Sequence, residues 1–173
     1  MRRLASAAAL SGLMAAPAAA AAADLAVSVE IPRLSVAEYH NPYVAIWVET
    51  PDQTAVKTLA VWYDVKLKNQ EGKTWLKDMR QWWRRAGRSM ALPADGVSGA
   101  TRAPGRHQVA FTAGKAPLGT LPAGSYNLVV EAAREVGGRE MVRVPFQWPP
   151  KAPTSGKAAG ESELGAVTLT LKP

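Results

Sequence analysis

The residues with the most specific chemical arrangement lie in one polar loop near the middle of the chain. They follow the pattern Asp-x-x-Ser-Gly-Ala-Thr, which begins at Asp95 and ends at Thr101. A threonine hydroxyl is an acceptor for a phosphoester, but it is unactivated and needs an outside enzyme and a metal ion to react. Gly99 and Ala100 are small enough to let the segment lie extended in a foreign active site. Ser98 is able to bond its neighbouring backbone and set the turn.

The same loop has a simpler interpretation. Asp-Gly and Ser-Gly pairs are ordinary turn residues, so a plain connector between strands is the alternative. Ser98, His107 and Asp95 are the residue types of a hydrolytic triad, but no nucleophile-elbow sequence surrounds the serine. The two histidines of the chain form no spaced cluster with each other or with carboxylates. We therefore expect no catalytic residue and no metal site.

The first 23 residues have the features of an export signal. The basic start, Met1-Arg2-Arg3, is followed by an apolar Ala/Leu run and by a zone of small residues that ends at Ala23. The apolar run is too short to span a bilayer. We expect the signal peptide, residues 1–23, to be cleaved near Ala23, by either the general secretory or the twin-arginine route. The remaining residues, 24–173, are then a single periplasmic domain that does not span the membrane.

Composition excludes several classes of function. The chain has no cysteine, which rules out disulfides, thiolate nucleophiles and thiolate metal sites. Without Arg2 and Arg3, 19 basic residues stand against 14 acidic ones. This moderate excess, in an exported protein, does not indicate a nucleic-acid partner.

Alternating hydrophobicity predicts about seven strands, which together indicate an all-β sandwich. The predicted strands are residues 25–31, 43–50, 56–67, 107–113, 126–133, 139–148 and 165–172. Apolar side chains on both faces of residues 43–50 favour a central strand. Pro32, directly after the first strand, favours an edge position for it. The Ala-, Gly-, Pro- and Ser-rich residues 151–161 are predicted to be a flexible connector.

Two further features refine this fold. Tyr126 follows a Pro-Ala-Gly turn and opens a late strand, which resembles the tyrosine corner of immunoglobulin-like and fibronectin-like sandwiches. Residues 74–88 change to helical spacing, which predicts one short helix that begins at Thr74 and ends at Gly87. Its apolar face is formed by Trp75, Met79, Trp82 and Trp83. The simplest use of this face is to cover one end of the sandwich.

The loop pattern that ends at Thr101 resembles the acceptor motif of proteins that carry FMN covalently. In those proteins a flavin transferase joins the FMN phosphate to the hydroxyl of the last threonine, which implies a phosphoester at Thr101. The resemblance also implies that Asp95 helps to position metal or phosphate in the transferase complex. The other positions of the implied FMN site are Ser98, Gly99, Ala100 and Arg102.

The Trp- and Arg-rich helix offers contacts to such a flavin. One tryptophan would stack on the isoalloxazine ring, and arginines would balance the charge of the phosphate or of the reduced flavin. The candidates are Trp82, Trp83, Arg84 and Arg85, with Arg88 and Arg102 as further arginines. No single tryptophan is favoured by the sequence.

The domain as a whole resembles an uncharacterised family of predicted periplasmic proteins. Its members are encoded beside a flavin transferase and a membrane reductase of the PepSY type. The resemblance is carried by residues 43–49, 59–64, 75–84, 95–102 and 122–131. It supports the periplasmic location and the flavin hypothesis. The leading hypothesis is then an electron carrier rather than an enzyme with its own substrate, with the flavin transferase and a PepSY-type membrane reductase or another membrane redox partner as partners. The alternative is a non-catalytic immunoglobulin-like module that docks the membrane reductase through its Trp/Arg-rich segment.

Overall fold

The computed structural model describes residues 23–173, and nearly all of the expected signal peptide lies outside these residues. The described chain forms nine strands and one α-helix. The strands are β1 Asp24–Ile31, β2 Tyr43–Glu49, β3 Ala55–Trp62, β4 Ser98–Gly99, β5 Gly105–Thr112, β6 Gly124–Ala133, β7 Arg139–Trp148, β8 Thr154–Ala159 and β9 Ala166–Lys172. The helix is α1 Arg80–Arg85, flanked by 3-10 turns at Lys68–Asp78 and Gly87–Ser89.

The strands form two sheets that pack face to face, which confirms the predicted all-β sandwich. One sheet has four strands in the order β5-β1-β9-β8, and the other has five in the order β4-β3-β2-β6-β7. Neighbours are antiparallel except for β3 and β4, which are parallel. The predicted central position of β2 is confirmed, because β3 pairs with one side of it and β6 with the other.

The main core lies between the two sheets and follows from the alternation of the strands. On β1 every second residue points inward, so that Leu25, Val27, Val29 and Ile31 are all buried. The Tyr126 hydroxyl donates a hydrogen bond to the Pro122 carbonyl at 2.9 Å, which is the bond of a tyrosine corner. This bond fixes the turn that leads into β6.

A second hydrophobic core covers the outer face of the five-stranded sheet. Its covering layer is the segment between β3 and β4, residues 63–97, which places Leu76, Met79 and Trp82 against Ala45 and Trp47 of β2. The buried Glu131 of β6 anchors this layer. Its carboxylate accepts hydrogen bonds from the backbone N–H groups of Gln81 at 3.1 Å and Trp82 at 2.8 Å.

The helix is shorter than predicted. The chain is 3-10 helical up to Asp78, and Met79 interrupts it at φ −78°, ψ 72°. Neither Thr74 nor Gly87 bounds α1, and the segment covers a sheet face rather than one end of the sandwich. At Gly87 a Cβ atom would lie 2.6 Å from the Trp82 ring, so packing against Trp82 explains this glycine. Trp75, expected on the apolar face, is 42% exposed.

Two strand assignments were also wrong. Strand β1 is central, between β5 and β9, because Pro32 lies just beyond its last residue and removes no ladder hydrogen bond. Strand β3 ends at Trp62, not at residue 67, because the chain leaves the sheet there to cross its outer face. Val65 and Leu67, which lie within the predicted strand, are exposed.

The expected connector, residues 151–161, instead contains the edge strand β8. This strand pairs with β9 along its full length, from Thr154 opposite Leu171 to Ala159 opposite Ala166. Its side chains are mostly exposed and small, so its backbone pairing leaves no hydrophobic alternation in the sequence. At Gly156 a Cβ atom would lie 2.7 Å from Val144 Cγ1, which shows how closely β8 approaches β7.

The buried Trp82 and the exposed Trp75 of one segment should contribute differently to stability. We expect Trp82→Ala to lower the free energy of unfolding by about 3–5 kcal/mol, because a fully buried ring is replaced by a cavity. Trp75→Ala should lower it by about 0.5 kcal/mol or less. Urea unfolding followed by circular dichroism measures both values. Equal losses in the two variants would contradict the assignment of Trp82 to the second core.

Candidate functional site

Thr101 lines a cleft of about 590 Å³. One part of its wall comes from the covering layer, with Trp75, Asp78 and Arg80. Another part is the turn between β6 and β7, residues 133–139. The cleft therefore lies where the covering layer, the β6–β7 turn and the loop after β4 meet.

The position of Thr101 is set by the short strand β4. Val97 is buried in the second core, and its carbonyl accepts a hydrogen bond from the Val61 N–H at 2.8 Å. The Gly99 carbonyl accepts one from the Tyr63 N–H at 2.9 Å. Thr101 follows two residues later, at the end of β3. The sequence pattern indicated a loop here and gave no sign of the pairing with β3.

The residues before Thr101 form a closed turn. The Ser98 hydroxyl accepts a hydrogen bond from the Ala94 N–H at 3.0 Å, and the Ser98 N–H donates to the Ala94 carbonyl at 2.9 Å. Asp95 is exposed at the tip of this turn, and Gly96 has the positive φ of +70° that favours glycine. Asp95 is thus accessible to another protein.

Arg102 contacts Trp62 and lies outside the cleft wall. Its guanidinium lies 5.2 Å from the ring centroid of Trp62, at cation–π distance. The ring of His107 meets the same Trp62 edge-on at 5.9 Å. At Gly99 a Cβ atom would lie 3.3 Å from Trp62, so a small residue suits this position. Ala100, between Gly99 and Thr101 in the chain, is exposed.

The Thr101 hydroxyl donates a long hydrogen bond, 3.4 Å, to Oδ1 of Asp64. The Tyr43 hydroxyl donates to the Gly72 carbonyl at 3.1 Å and lies 3.5 Å from Oδ2 of Asp64. Burial, with a further contribution from the Asp64 carboxylate, raises the pKa of Tyr43 to about 12. No sequence spacing links Asp64 to Thr101, because they meet only through the pairing of β3 with β4.

The candidate residues of the helix lie outside the cleft wall. Trp82 is fully buried and donates its indole N–H to Thr58 Oγ1 at 3.1 Å, so its burial disfavours stacking on a ligand. Trp83 is half-buried and packs against Trp82 at a centroid distance of 6.2 Å. Trp75 is the tryptophan that lines the cleft.

The two candidate arginines are also engaged elsewhere. Arg84 is exposed and donates to the side chain of Gln81 at 2.7 Å. Arg85 lies 3.5 Å from the buried carboxylate of Glu49 and donates to the Gln53 side chain at 2.6 Å. These contacts hold the covering layer on the sheet.

The cleft wall contains three other arginines that sequence analysis did not single out. The side chain of Arg134 is only 6% exposed and forms a double hydrogen bond with Glu163, which raises the pKa of the guanidinium. Arg139 forms an ion pair with Glu131 at 2.9 Å. Arg80 is exposed, and no ion pair among residues 23–173 includes it. Arg80 is therefore the cleft cation with its charge free for a ligand.

The donor set of the described residues does not suggest a metal centre. Within residues 23–173, no group of three or more histidine or carboxylate side chains is placed to hold a metal ion. The cleft instead combines an exposed indole, a free guanidinium and a threonine hydroxyl. Its volume lies within the usual range of small-molecule sites, roughly 300–1,000 Å³. The indole and the guanidinium suit an aromatic ligand that carries negative charge, whereas the carboxylates of Asp64, Asp78 and Glu135 in the same wall disfavour negative charge directly beside them.

Fold and site together define a β-sandwich protein with a ligand-sized cleft at the margin of its covered sheet. Residues 24–166 match the model of a family described as "Predicted periplasmic protein (DUF2271)", and the chain belongs to this family of periplasmic proteins of unknown function. Comparison with curated proteins and with solved structures found no match. None of the helices in the described residues is long and apolar enough to cross a membrane.

The raised pKa of Tyr43 gives a prediction for alkaline stability. The folded state binds the phenolic proton more tightly than the unfolded state, whose tyrosine pKa is 10.0. The free energy of unfolding should therefore fall as the pH rises from about 10 to about 12. Tyr43→Phe should lose about 1 kcal/mol at neutral pH with the bond to Gly72, and should show a shallower alkaline decrease.

Urea unfolding at a series of pH values measures this change. Tyr39→Phe is the control. Because burial raises the pKa of Tyr39 as well, this variant should lose only the part of the alkaline decrease that Tyr39 contributes, and the part due to Tyr43 should remain. An unchanged alkaline decrease in Tyr43→Phe would contradict the prediction.

Proposed function

We propose that this protein is a periplasmic electron-transfer protein that carries FMN through a phosphoester on Thr101. The observation that carries the proposal is the position of the Thr101 hydroxyl, which lies on the wall of a ligand-sized cleft beside an exposed tryptophan and a free arginine. The motif resemblance supports the same residue. Residues 98–104, which surround Thr101, contain no fully buried side chain and are accessible to a modifying enzyme.

The residues of the cleft fit the proposed group. Trp75 offers an exposed aromatic face for the isoalloxazine ring, and Arg80 offers positive charge for the phosphate or the reduced ring. The wall also contains the carboxylates of Asp64, Asp78 and Glu135, which disfavour phosphate directly beside them. The same wall contains the guanidinium groups of Arg80, Arg134 and Arg139, which oppose this negative charge.

Attachment requires an activated phosphate, which a flavin dinucleotide supplies. In that reaction Thr101 Oγ1 would form the new bond to phosphorus, the pyrophosphate bond would break, and AMP would leave. Asp64, which accepts a hydrogen bond from the Thr101 hydroxyl, would accept its proton. Asp95 is exposed at the tip of the turn before Thr101, so it is available to the transferase for positioning metal or phosphate. The net result is an FMN residue gained and one water lost.

Once attached, FMN supplies reversible acceptance and donation of electrons. A covalent link suits a periplasmic protein, because a dissociable cofactor is lost by dilution. A flavin transferase and a membrane reductase of the PepSY type are the proposed partners. The cleft residues of this chain hold the ring and set its electrostatic environment.

A docking module is the second candidate, and one observation favours it. Three large apolar residues of one segment are exposed: Val65 by 37%, Leu67 by 40% and Trp75 by 42%. Large exposed apolar side chains of this kind anchor interfaces. The segment docks through these residues rather than through Trp82 and Arg85, which are engaged in the covering layer.

Thr101 variants distinguish the two functions. We expect the wild-type chain, co-expressed with a flavin transferase, to show in-gel flavin fluorescence and a mass gain of one FMN less one water. Thr101→Ala should lose both signals and stay folded, whereas Thr101→Ser keeps a hydroxyl and should retain them. Labelling that survives in Thr101→Ala would refute the site. An unlabelled wild-type chain, beside a labelled reference acceptor, would favour the docking module.

The stacking partner is tested on the flavin-labelled protein. We expect Trp75→Ala to increase flavin fluorescence, because an adjacent indole quenches the excited ring. A stacked aromatic pair is stabilised by about 1 kcal/mol, which corresponds to a ratio of stacked to unstacked flavin of about five, and the variant loses this stacked state. Trp83→Ala is the matched control and should leave the emission unchanged. Increased emission in Trp83→Ala alone would contradict the assignment to Trp75.

A further inference from the structure

The net positive charge of the described chain is concentrated in one segment. Residues 64–88 contain eight basic and three acidic side chains, whereas the rest of residues 23–173 contains eleven of each. Taken together, the described residues outside this segment therefore carry no net charge. The excess belongs to the covering layer that lies on the outer face of the five-stranded sheet.

The fold directs this charge outward. Leu76, Met79 and Trp82 of the layer are buried against the sheet, so its exposed side chains lie on the opposite side. We call these exposed side chains the basic face. Its exposed cations are Lys66, Lys68, Lys77, Arg80, Arg84 and Arg88.

Apolar side chains are exposed on the same face. In the turn Val65-Lys66-Leu67-Lys68, apolar and basic residues alternate, and both apolar side chains are exposed. Trp75 adds an exposed indole a few residues later. Exposed tryptophan and aliphatic side chains interleaved with lysines are typical of surfaces that insert shallowly between lipid headgroups.

We propose that the basic face binds the surface of a bilayer that contains anionic phospholipid. The lysines and arginines contact the phosphate groups, and Val65, Leu67 and Trp75 enter the headgroup region. Lysine suits a fluid array of phosphates because its ammonium group acts as a point charge on a flexible stem. A protein partner is less well matched, because lysine is depleted in the cores of protein interfaces.

This binding does not depend on a flavin, since it uses the exposed side chains of the unmodified chain. It also has a geometric consequence for the cleft. Trp75 and Arg80 belong to both the basic face and the cleft wall. Docking therefore brings the Thr101 cleft close to the plane of the membrane.

The test uses protein purified from the periplasm and carrying Thr101→Ala, so that neither signal peptide nor flavin contributes. We expect it to sediment with vesicles of phosphatidylglycerol and phosphatidylcholine and not with vesicles of phosphatidylcholine alone. Salt at about 1 M, where the Debye length is about 3 Å, should release it.

Two matched triple variants locate the face. Lys66→Gln with Lys68→Gln and Lys77→Gln should weaken binding by about fivefold per lysine, on the order of a hundredfold in total. Lys115→Gln with Lys151→Gln and Lys172→Gln removes the same net charge from exposed positions outside the face and should change binding little. Trp75→Ala should also weaken binding.

Three outcomes would overturn the proposal. One is an absence of sedimentation with the anionic vesicles, and another is an equal loss in the two triple variants. The third is binding to native membranes but not to protein-free vesicles, which would assign the basic face to an acidic protein partner.

Discussion

The covering layer depends on one buried carboxylate. Glu131 lies on the outer face of β6 and accepts hydrogen bonds from two backbone N–H groups at the start of α1, while Arg139 balances its charge. A buried carboxylate without such partners is strongly unfavourable, so the sheet and the layer require each other. Because a helix of six residues has little stability of its own, this contact and the buried Trp82 hold it in place.

The anchored layer in turn creates the candidate site. With residues 63–97 fixed against the sheet, Val97 enters the second core and the chain pairs briefly with β3. Thr101 is then held beside Asp64, and Trp75 and Arg80 are held at the same cleft. Glu49 gives the layer a second ionic contact through Arg85 and is itself bound by Arg143 at 2.7 Å. The site is thus assembled from residues distant in sequence.

Sequence patterns predicted the parts of this fold whose side chains alternate and missed the parts held by backbone contacts. Strands β2, β6 and β7 have clear apolar periodicity, and the apolar residues on both faces of β2 correctly indicated burial on both sides. Strand β8 is built from small, exposed residues, so its pairing left no hydrophobic signal. The helical spacing of residues 74–88 was real only in part, because Met79 breaks the helix.

The candidate site was predicted to a similar extent. The pattern around Thr101 drew attention to a residue that the fold does place at a cleft. Helical spacing placed Trp75 and Trp82 on the same apolar face, so the sequence did not show which of them is exposed. The covering layer buries Trp82 and leaves Trp75 exposed at the cleft. Asp64 and Arg80 have no local pattern, since their neighbours come from other elements. These contacts depend on tertiary pairing and are absent from any local sequence window.

Strand β4 has a further role at the margin of its sheet. The open edge of a β-sheet presents free amide and carbonyl groups to other chains, which invites aggregation. Ser98 and Gly99 occupy the end of this edge, opposite Val61 and Trp62, and a strand of two residues is too short to serve as a template itself. The segment that leads to Thr101 therefore also occupies the end of the β3 edge, where a second molecule would otherwise pair.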